Sequence, residues 1–283
     1  MRRIILGTFA VTLALLALST AARADEWSKQ FTVTAKPHLT LDADNARLNV
    51  TTGPANAVSV HVSTTGWQIP KDVTVTETQT GNDIRVEVKQ VQHWISFSHG
   101  SAAVDITVPA QADLNLSTGN GEITLDAVTG TLHVGTGNGR VTATGSHGNV
   151  YLRTGNGHIE ASGIDGSLST HTGNGSVAVA GRFDSLNVDS GRGQVQATIL
   201  PGSKIASDWR VGTGVGNVTV SLPADFSAEL DGSTGVGHIT VDFPLTVSGS
   251  IAGSTVRGRI GKGGPTMRIH TGVGSIHIGR TRS

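Results

Sequence analysis

Six carboxylates lie in the most regular part of this chain: Glu122, Asp126, Glu160, Asp165, Asp184 and Asp189. Two acids facing one cleft can hydrolyse a glycosidic bond, so polysaccharide chemistry is the first activity to weigh. Glu122 and Glu160 share an outward face, but two repeats and a two-residue offset separate them. The corners of so short a repeat leave no room for a cleft wall. Histidine is the next candidate, with 11 copies. His133, His158, His171 and His238 alternate with apolar residues and belong on solvated faces, while His270 and His277 fall in the last repeats. None forms the close pair with a carboxylate on a helix that a zinc site would use. A calcium-binding nonapeptide repeat would place aspartate beside its glycines; here that column reads asparagine, then arginine, then valine. No Gly-x-Ser-x-Gly elbow is present. The recurring threonines sit beside glycine corners rather than in a flat Thr-x-Thr ice-binding array. The chain is therefore expected to be non-catalytic, with no cofactor and no metal.

One segment concentrates aromatics in a chain with 4 Trp, 1 Tyr and 6 Phe: His93-Trp94-Ile95-Ser96-Phe97-Ser98-His99. Exposed, it would stack on a sugar or touch a partner. The alternative is that Ile95 and Phe97 plug the end of a core and leave Trp94 outside, and the apolar alternation favours it. His93, Trp94 and Phe97 are the candidate partner-binding residues.

The elements that would position these groups follow from a repeat. Thr-Gly-Asn-Gly begins at Thr118, Thr136, Thr154 and Thr172, each copy 18 residues after the last, and Ser190-Gly191-Arg192-Gly193 keeps the step in degenerate form. A strict period of this kind is the signature of a solenoid. Around one copy, Val150 and Leu152 face one way and Tyr151 and Arg153 the other. After the motif, Ile159 and Ala161 point inward while His158 and Glu160 point out. Stepping by 18 gives one inward column of Leu114, Leu132, Val150, Leu168 and Leu186, and a second of Leu116, Val134, Leu152, Thr170 and Val188. Across the corner stand Ile123, Val141, Ile159, Val177 and Val195, backed by Leu125, Ala143, Ala161, Val179 and Ala197.

The corner residues are Gly119, Asn120 and Gly121, then Gly137, Asn138 and Gly139, Gly155, Asn156 and Gly157, and Gly173, Asn174 and Gly175. Asn-Gly favours a tight turn with positive φ at both positions, and a Cβ at a left-handed corner would cost energy in every repeat. A second turn is expected near Gly163 to Gly166. A left-handed hexapeptide helix also uses 18 residues per coil, but it needs an aliphatic residue at every sixth position. From Ile123 those positions hold Thr129 and Gly135, and from Ile159 they hold Asp165 and His171, so that fold is rejected.

Beyond residue 210 the motif becomes Thr-Gly-Val-Gly at Thr213, Thr234 and Thr271, with a blurred copy around Thr255 to Gly258. Strands ending at Pro223 and Pro244 suit termination at an edge. Before the array, 73–76 and 84–88 alternate cleanly around Gly81-Asn82-Asp83, which predicts a β-hairpin. The chain thus divides into a signal peptide (1–24), an amino-terminal β region with that hairpin as a cap (25–110), and a repeat solenoid (111–283) continuous with it. The fold class is an all-β solenoid with two-stranded rungs of about 18 residues.

The first 24 residues read as a secretory signal: Arg2 and Arg3, an apolar stretch from Ile4 to Leu18, and Ala22-Arg23-Ala24, with cleavage after Ala24. The apolar stretch is too short for a spanning helix. There is no cysteine, so no disulfide framework and no lipid-modified cysteine is expected. Lysine plus arginine equals aspartate plus glutamate at 21 each, with no basic run, which argues against nucleic acid. An exported protein, periplasmic or extracellular and with no membrane insertion after signal removal, is expected.

The run Val104-Asp105-Ile106-Thr107-Val108-Pro109, followed by Leu114-Asn115-Leu116-Ser117-Thr118-Gly119-Asn120-Gly121-Glu122-Ile123, resembles the putative-adhesin family, bacterial proteins built on a β-strand-repeat domain of unknown function (4097). Gly216-Asn217-Val218-Thr219-Val220-Ser221-Leu222-Pro223 and Gly235-Val236-Gly237-His238-Ile239 match its strand-glycine-strand pattern. The resemblance covers most of residues 30–280. It implies a β-repeat fold and brings no catalytic residue or ligand. The functional expectation is an adhesin or cell-envelope scaffold whose partner is a glycan or an envelope or surface protein, with self-association through its end rungs. A polysaccharide-processing β-helix enzyme and a small periplasmic ligand-binding or envelope-stress component are the alternatives; the latter would show a pocket near 93–99.

Overall fold

The computed structural model describes residues 24–91, 100–244, 246–247 and 254–281. Among them are 23 β-strands and no helix, so the chain is all-β. The amino-terminal part holds β1 (Ala24–Thr32), β2 (His38–Ala43), β3 (Ala46–Gly53), β4 (Ala57–Thr65), β5 (Val73–Thr80), β6 (Asp83–Gln90) and β7 (Ser101–Pro109). The regular array follows as β8 (Asp113–Asn120), β9 (Ile123–Asp126), β10 (Thr129–Asn138), β11 (Val141–Thr144), β12 (His147–Asn156), β13 (Ile159–Asn174), β14 (Val177–Arg192) and β15 (Val195–Ile199). The rest comprises β16 (Trp209–Val215), β17 (Val218–Leu222), β18 (Ala228–Val236), β19 (Ile239–Val241), β20 (Thr246–Val247), β21 (Thr255–Ile260), β22 (Thr266–Val273) and β23 (Ile276–Arg280).

Within the array each residue pairs in parallel with the equivalent residue of the neighbouring copy. Leu114, Leu132, Val150, Leu168 and Leu186 form one continuous register, and Ile123, Val141, Ile159, Val177 and Val195 another. All four inward columns are buried. At about 1.5–3 kcal/mol for each fully buried valine or leucine, these columns are the main favourable term. No copy could bury them alone, because each inward side chain is covered by those of the copies above and below.

The corners differ from the expected turn. The segments on either side of Asn156-Gly157, 147–156 and 159–162, pair with copies one step away and not with each other, so the chain bends there without doubling back. Positive φ is confined to glycine at these corners, with +158° at Gly121, +151° at Gly139 and +155° at Gly175. Ala127 is the one described non-glycine residue with positive φ, so none of Asn120, Asn138, Asn156 and Asn174 has it. Nor are these angles left-handed helical; they are nearly extended.

Contact between copies accounts for the glycines better than conformation does. A Cβ on Gly121 would overlap the carbonyl of Ala46, and one on Gly139, Gly157 or Gly175 would overlap the carbonyl of Gly121, Gly139 or Gly157 respectively. At the first glycine of the motif the approach is similar: a Cβ on Gly155 would lie 2.6 Å from the carbonyl oxygen of Gly137, and Gly119, Gly137 and Gly173 are crowded in the same way.

Two polar ladders bind the corners together. Thr136, Thr154 and Thr172 are buried, and each Oγ1 donates at 3.0 Å to the carbonyl of Gly121, Gly139 or Gly157 one copy back. Thr118 does the same to Ala46, and Ser190, Thr213, Thr271 and Thr234 carry the column onward. Outside it runs an amide ladder, Asn174 to Asn156 to Asn138 to Asn120 to Asn45, with Nδ2 to Oδ1 distances of 2.9, 2.8, 2.7 and 2.5 Å. Asn45 closes it on Gln90.

Stacking order departs from sequence order at both ends. β2 and β3 lie between β8–β9 on one side and β6–β7 on the other, all in parallel. Antiparallel strands close that end, β5 on β6, β4 on β7 and β1 on β4. The β5–β6 pair is the predicted hairpin, with Thr80 opposite Asp83 and φ of +62° at Gly81. At the other end β22–β23, last in sequence, sits between β16–β17 and β18–β19. Residues 255–260, read as a blurred repeat, instead form β21, which runs antiparallel on β18. A stacked repeat would be parallel, so that reading is corrected.

Thr170 and Thr172 supply a test of the packing argument. Thr170 occupies an aliphatic column, and its buried Oγ1 has no partner among the described residues. Thr170→Val should raise stability by roughly 1–2 kcal/mol, because a buried hydroxyl without a partner is costly. Thr172→Val should lower it by roughly 1–2 kcal/mol, since it orphans the Gly157 carbonyl. Urea midpoints at constant slope measure both; equal signs would refute the assignment. A glycine pair gives the second test. Gly175→Ala should cost roughly 1–3 kcal/mol or more through overlap with the Gly157 carbonyl. Gly135→Ala, whose Cβ would meet nothing closer than 3.9 Å, should stay within about 0.5 kcal/mol of the parent.

Candidate functional site

The outward residues of the array strands also form columns. One reads Asn115, His133, Tyr151, Ser169 and Asn187; its neighbour reads Asp42, Ser117, Gly135, Arg153, His171 and Asp189. Parallel pairing sets adjacent members about 4.8 Å apart, which suits ring stacking. His133 and Tyr151 use it, with centroids 4.5 Å apart and planes 2° from parallel. Tyr151 is 43% exposed. The residue on its other side is Ser169, too short to cover the second face of the ring.

Gly135 in the adjoining column is unlike the corner glycines. An added Cβ would have only the Arg153 carbonyl oxygen within reach, at 3.9 Å, so the backbone does not require glycine there. The missing side chain opens a hollow of about 350 Å³. Ser117, Tyr151, Arg153, Ser169 and His171 stand around it, and the strand backbone at Leu116, Val134 and Leu152, whose side chains are buried in the core, passes beneath it. Its walls combine the Tyr151 ring with a few convergent polar side chains, as small-ligand sites do.

Charges along this column are paired at both ends and unpaired in the middle. Asp42 accepts hydrogen bonds from Ser117 Oγ at 2.7 Å and Lys89 Nζ at 2.5 Å. The Lys89 bond is the main reason its carboxyl titrates below the usual range, and the same contact raises Lys89. At the far end His171 Nδ1 meets Asp189 Oδ2 at 3.0 Å. Arg153, between them, has no ion pair or side-chain hydrogen bond among the described residues and is exposed.

A second hollow of about 590 Å³ brings Ser221, His277 and Asp242 together near β17 and β23. His277 Nε2 stands 3.9 Å from Asp242 Oδ2, and no hydrogen bond joins Ser221 to His277. A serine nucleophile needs a base within hydrogen-bond reach, so the three do not form an activated set in this arrangement. Asp165, one of the acids considered for glycoside chemistry, is held by Arg182, which is the chief reason its carboxyl is lowered, and has His147 at 3.5 Å. Among the described residues no cluster of three or more metal-ligating side chains occurs.

The aromatic segment with His93, Trp94 and Phe97 lies outside the described residues. Trp67 packs its ring on Gly100, where a Cβ would fall 2.5 Å from the ring atoms. The corner residues Gly119 to Gly175 are structural and do not line the hollow beside Tyr151. At the carboxyl-terminal end the amide column gives way through Arg192 to Val215, Val273 and Val236, which adjoin one another and are exposed. Sequence reasoning placed Tyr151, Arg153, His133 and His171 outward without joining them. Stepping the outward positions by 18, as was done for the inward ones, would have set His133 beside Tyr151.

No curated protein is significantly similar to the chain. Among solved structures, a putative cell adhesion protein from Clostridium sporogenes is 14% identical, with 90% of this chain and 100% of that one covered and a TM-score of 0.28. A putative adhesin from Bacteroides fragilis is 9% identical over 89% of this chain and 96% of that one, with a TM-score of 0.48. A putative lipid binding protein from Parabacteroides distasonis is 9% identical over 90% and 96%, with a TM-score of 0.30. The Toastrack DUF4097 family matches residues 37–279, nearly the full length of the array and its ends, and the chain belongs to that family.

Proposed function

We propose that this chain is an exported, non-catalytic β-solenoid of two-stranded, roughly 18-residue rungs, acting as an adhesin or cell-envelope scaffold in the periplasm or outside the cell. The observation that carries the reading is the hollow beside Tyr151. It sets a half-exposed aromatic and a cation with no ion pair among the described residues around a glycine that the backbone does not need. Binding rather than catalysis fits the acids and histidines: no carboxylate lines that hollow, and of the two histidines that do, His171 is held by Asp189 and His133 is stacked on Tyr151. A rigid face also limits the ordering cost of binding, because its side chains sit on strands held from both sides. The partner is a glycan or an envelope or surface protein.

The export part predicts that expression in a Gram-negative host yields a processed chain beginning at Asp25, read by amino-terminal sequencing of the periplasmic fraction. An unprocessed cytosolic product would sink it. The binding part predicts saturable attachment of the chain to isolated cell envelopes, weakened roughly tenfold or more by Tyr151→Ala. Attachment indifferent to that change would move the site elsewhere.

A further inference from the structure

We infer that the hollow beside Tyr151 takes an acidic sugar, a pyranose ring stacked on the face of Tyr151 that looks toward Ser169, with its carboxylate or sulfate on Arg153. The inference rests on the interaction-module reading and names its ligand class. The free face of Tyr151, over Ser169, is apolar and electron-rich, and it would attract the C–H face of a pyranose. His133 stacks behind it and fixes the ring, so little freedom is lost on binding. A planar guanidinium matches a carboxylate or sulfate through paired N–H donors. Arg153 is free to do so, whereas Lys89 at the same face is engaged by Asp42 and Asp44. Ser117, Ser169 and the His171–Asp189 pair would offer donors and acceptors to ring hydroxyls.

Two alternatives fit less well. A peptide added as a strand needs an unpaired sheet edge, and β10, β12 and β13 are each paired on both sides. A nucleic acid would call for several cations along a track, and here a single unpaired arginine lines the hollow. The volume, about 350 Å³, lies at the lower end for small-ligand sites and suits one or two sugar rings.

The test is calorimetric titration of the chain with glucuronic-acid oligosaccharides, their neutral glucose counterparts of equal length and linkage, and sulfated forms of the latter. The acidic ligands should bind at least roughly tenfold more tightly than the neutral ones, an advantage that shrinks at about 0.5 M salt. Whether the uronate or the sulfate binds better then identifies the acid. Arg153→Gln should bring acidic binding down to the neutral level, and Tyr151→Ala should remove both. Ser169→Leu, whose side chain would cover the free face of Tyr151 from the next copy, should block acidic and neutral binding alike. Equal affinity for neutral and acidic ligands, indifference to Arg153→Gln, or silence from every sugar would overturn the inference. If the sugars are silent but Tyr151-dependent attachment to envelopes persists, the ligand class is wrong and the module reading stands. Acidic-sugar binding without envelope attachment would have the opposite meaning.

Discussion

Along one edge of the array, the carbonyl oxygen of each copy occupies the space where the next copy's Cβ would be. Gly121, Gly139, Gly157 and Gly175 are all subject to this contact, each crowded by the copy before it. With the backbones this close, the Thr136, Thr154 and Thr172 hydroxyls reach the same carbonyls at 3.0 Å. The glycine and the threonine of the motif therefore answer one problem from two sides. Glycine permits the approach, and threonine satisfies a carbonyl that the approach removes from water. With the corner fixed, the register of every strand follows, and a one-residue slip would turn each inward column toward solvent.

Both ends of the array face the hazard of an unpaired edge, and antiparallel pairing is used at both. β5 and β4, which run against the stack, cover one end with β1 outside β4, and β21, backed by β20, covers part of the other. Setting β22–β23 inside the stack also places the last strands of the chain in parallel pairing on both sides instead of at a fraying margin. Such an arrangement joins residues far apart in sequence, as Thr271 does in reaching the Gly216 carbonyl. Long-range pairings of this kind slow folding, because loop closure is required before any contact forms.

The core was legible because side-chain alternation and an 18-residue step together determine which residues face inward, and all four columns named from sequence are buried. The hairpin at Gly81 was legible for a similar local reason. The order of the last three copies was not, since Thr213, Thr234 and Thr271 head near-identical motifs and any of them could stack on any other. Corner geometry was misread because Asn-Gly has a strong local preference for a turn, and contacts between copies override it. The threonine hydroxyls were read only as neighbours of glycine, since their acceptors lie 15 residues back and come into reach only when the copies stack. Gly135 differs from the corner glycines in that its 18-residue column also holds Ser117, Arg153, His171 and Asp189, but the hollow beside it forms only when the neighbouring strands stack.

That empty space bears on how such a fold acquires specificity. The inward columns tolerate little change in volume, and the corners tolerate little change in chemistry. The outward columns are free of both constraints, as the succession Ser117, Gly135, Arg153, His171, Asp189 illustrates. The parallel ladder holds any side chain placed there at a set distance from its neighbours, so a site can be built by choosing residues alone, with no loop to shape it. Under the proposed reading, recognition would use the stacked rings and the hollow beside Arg153, which has no ion pair among the described residues.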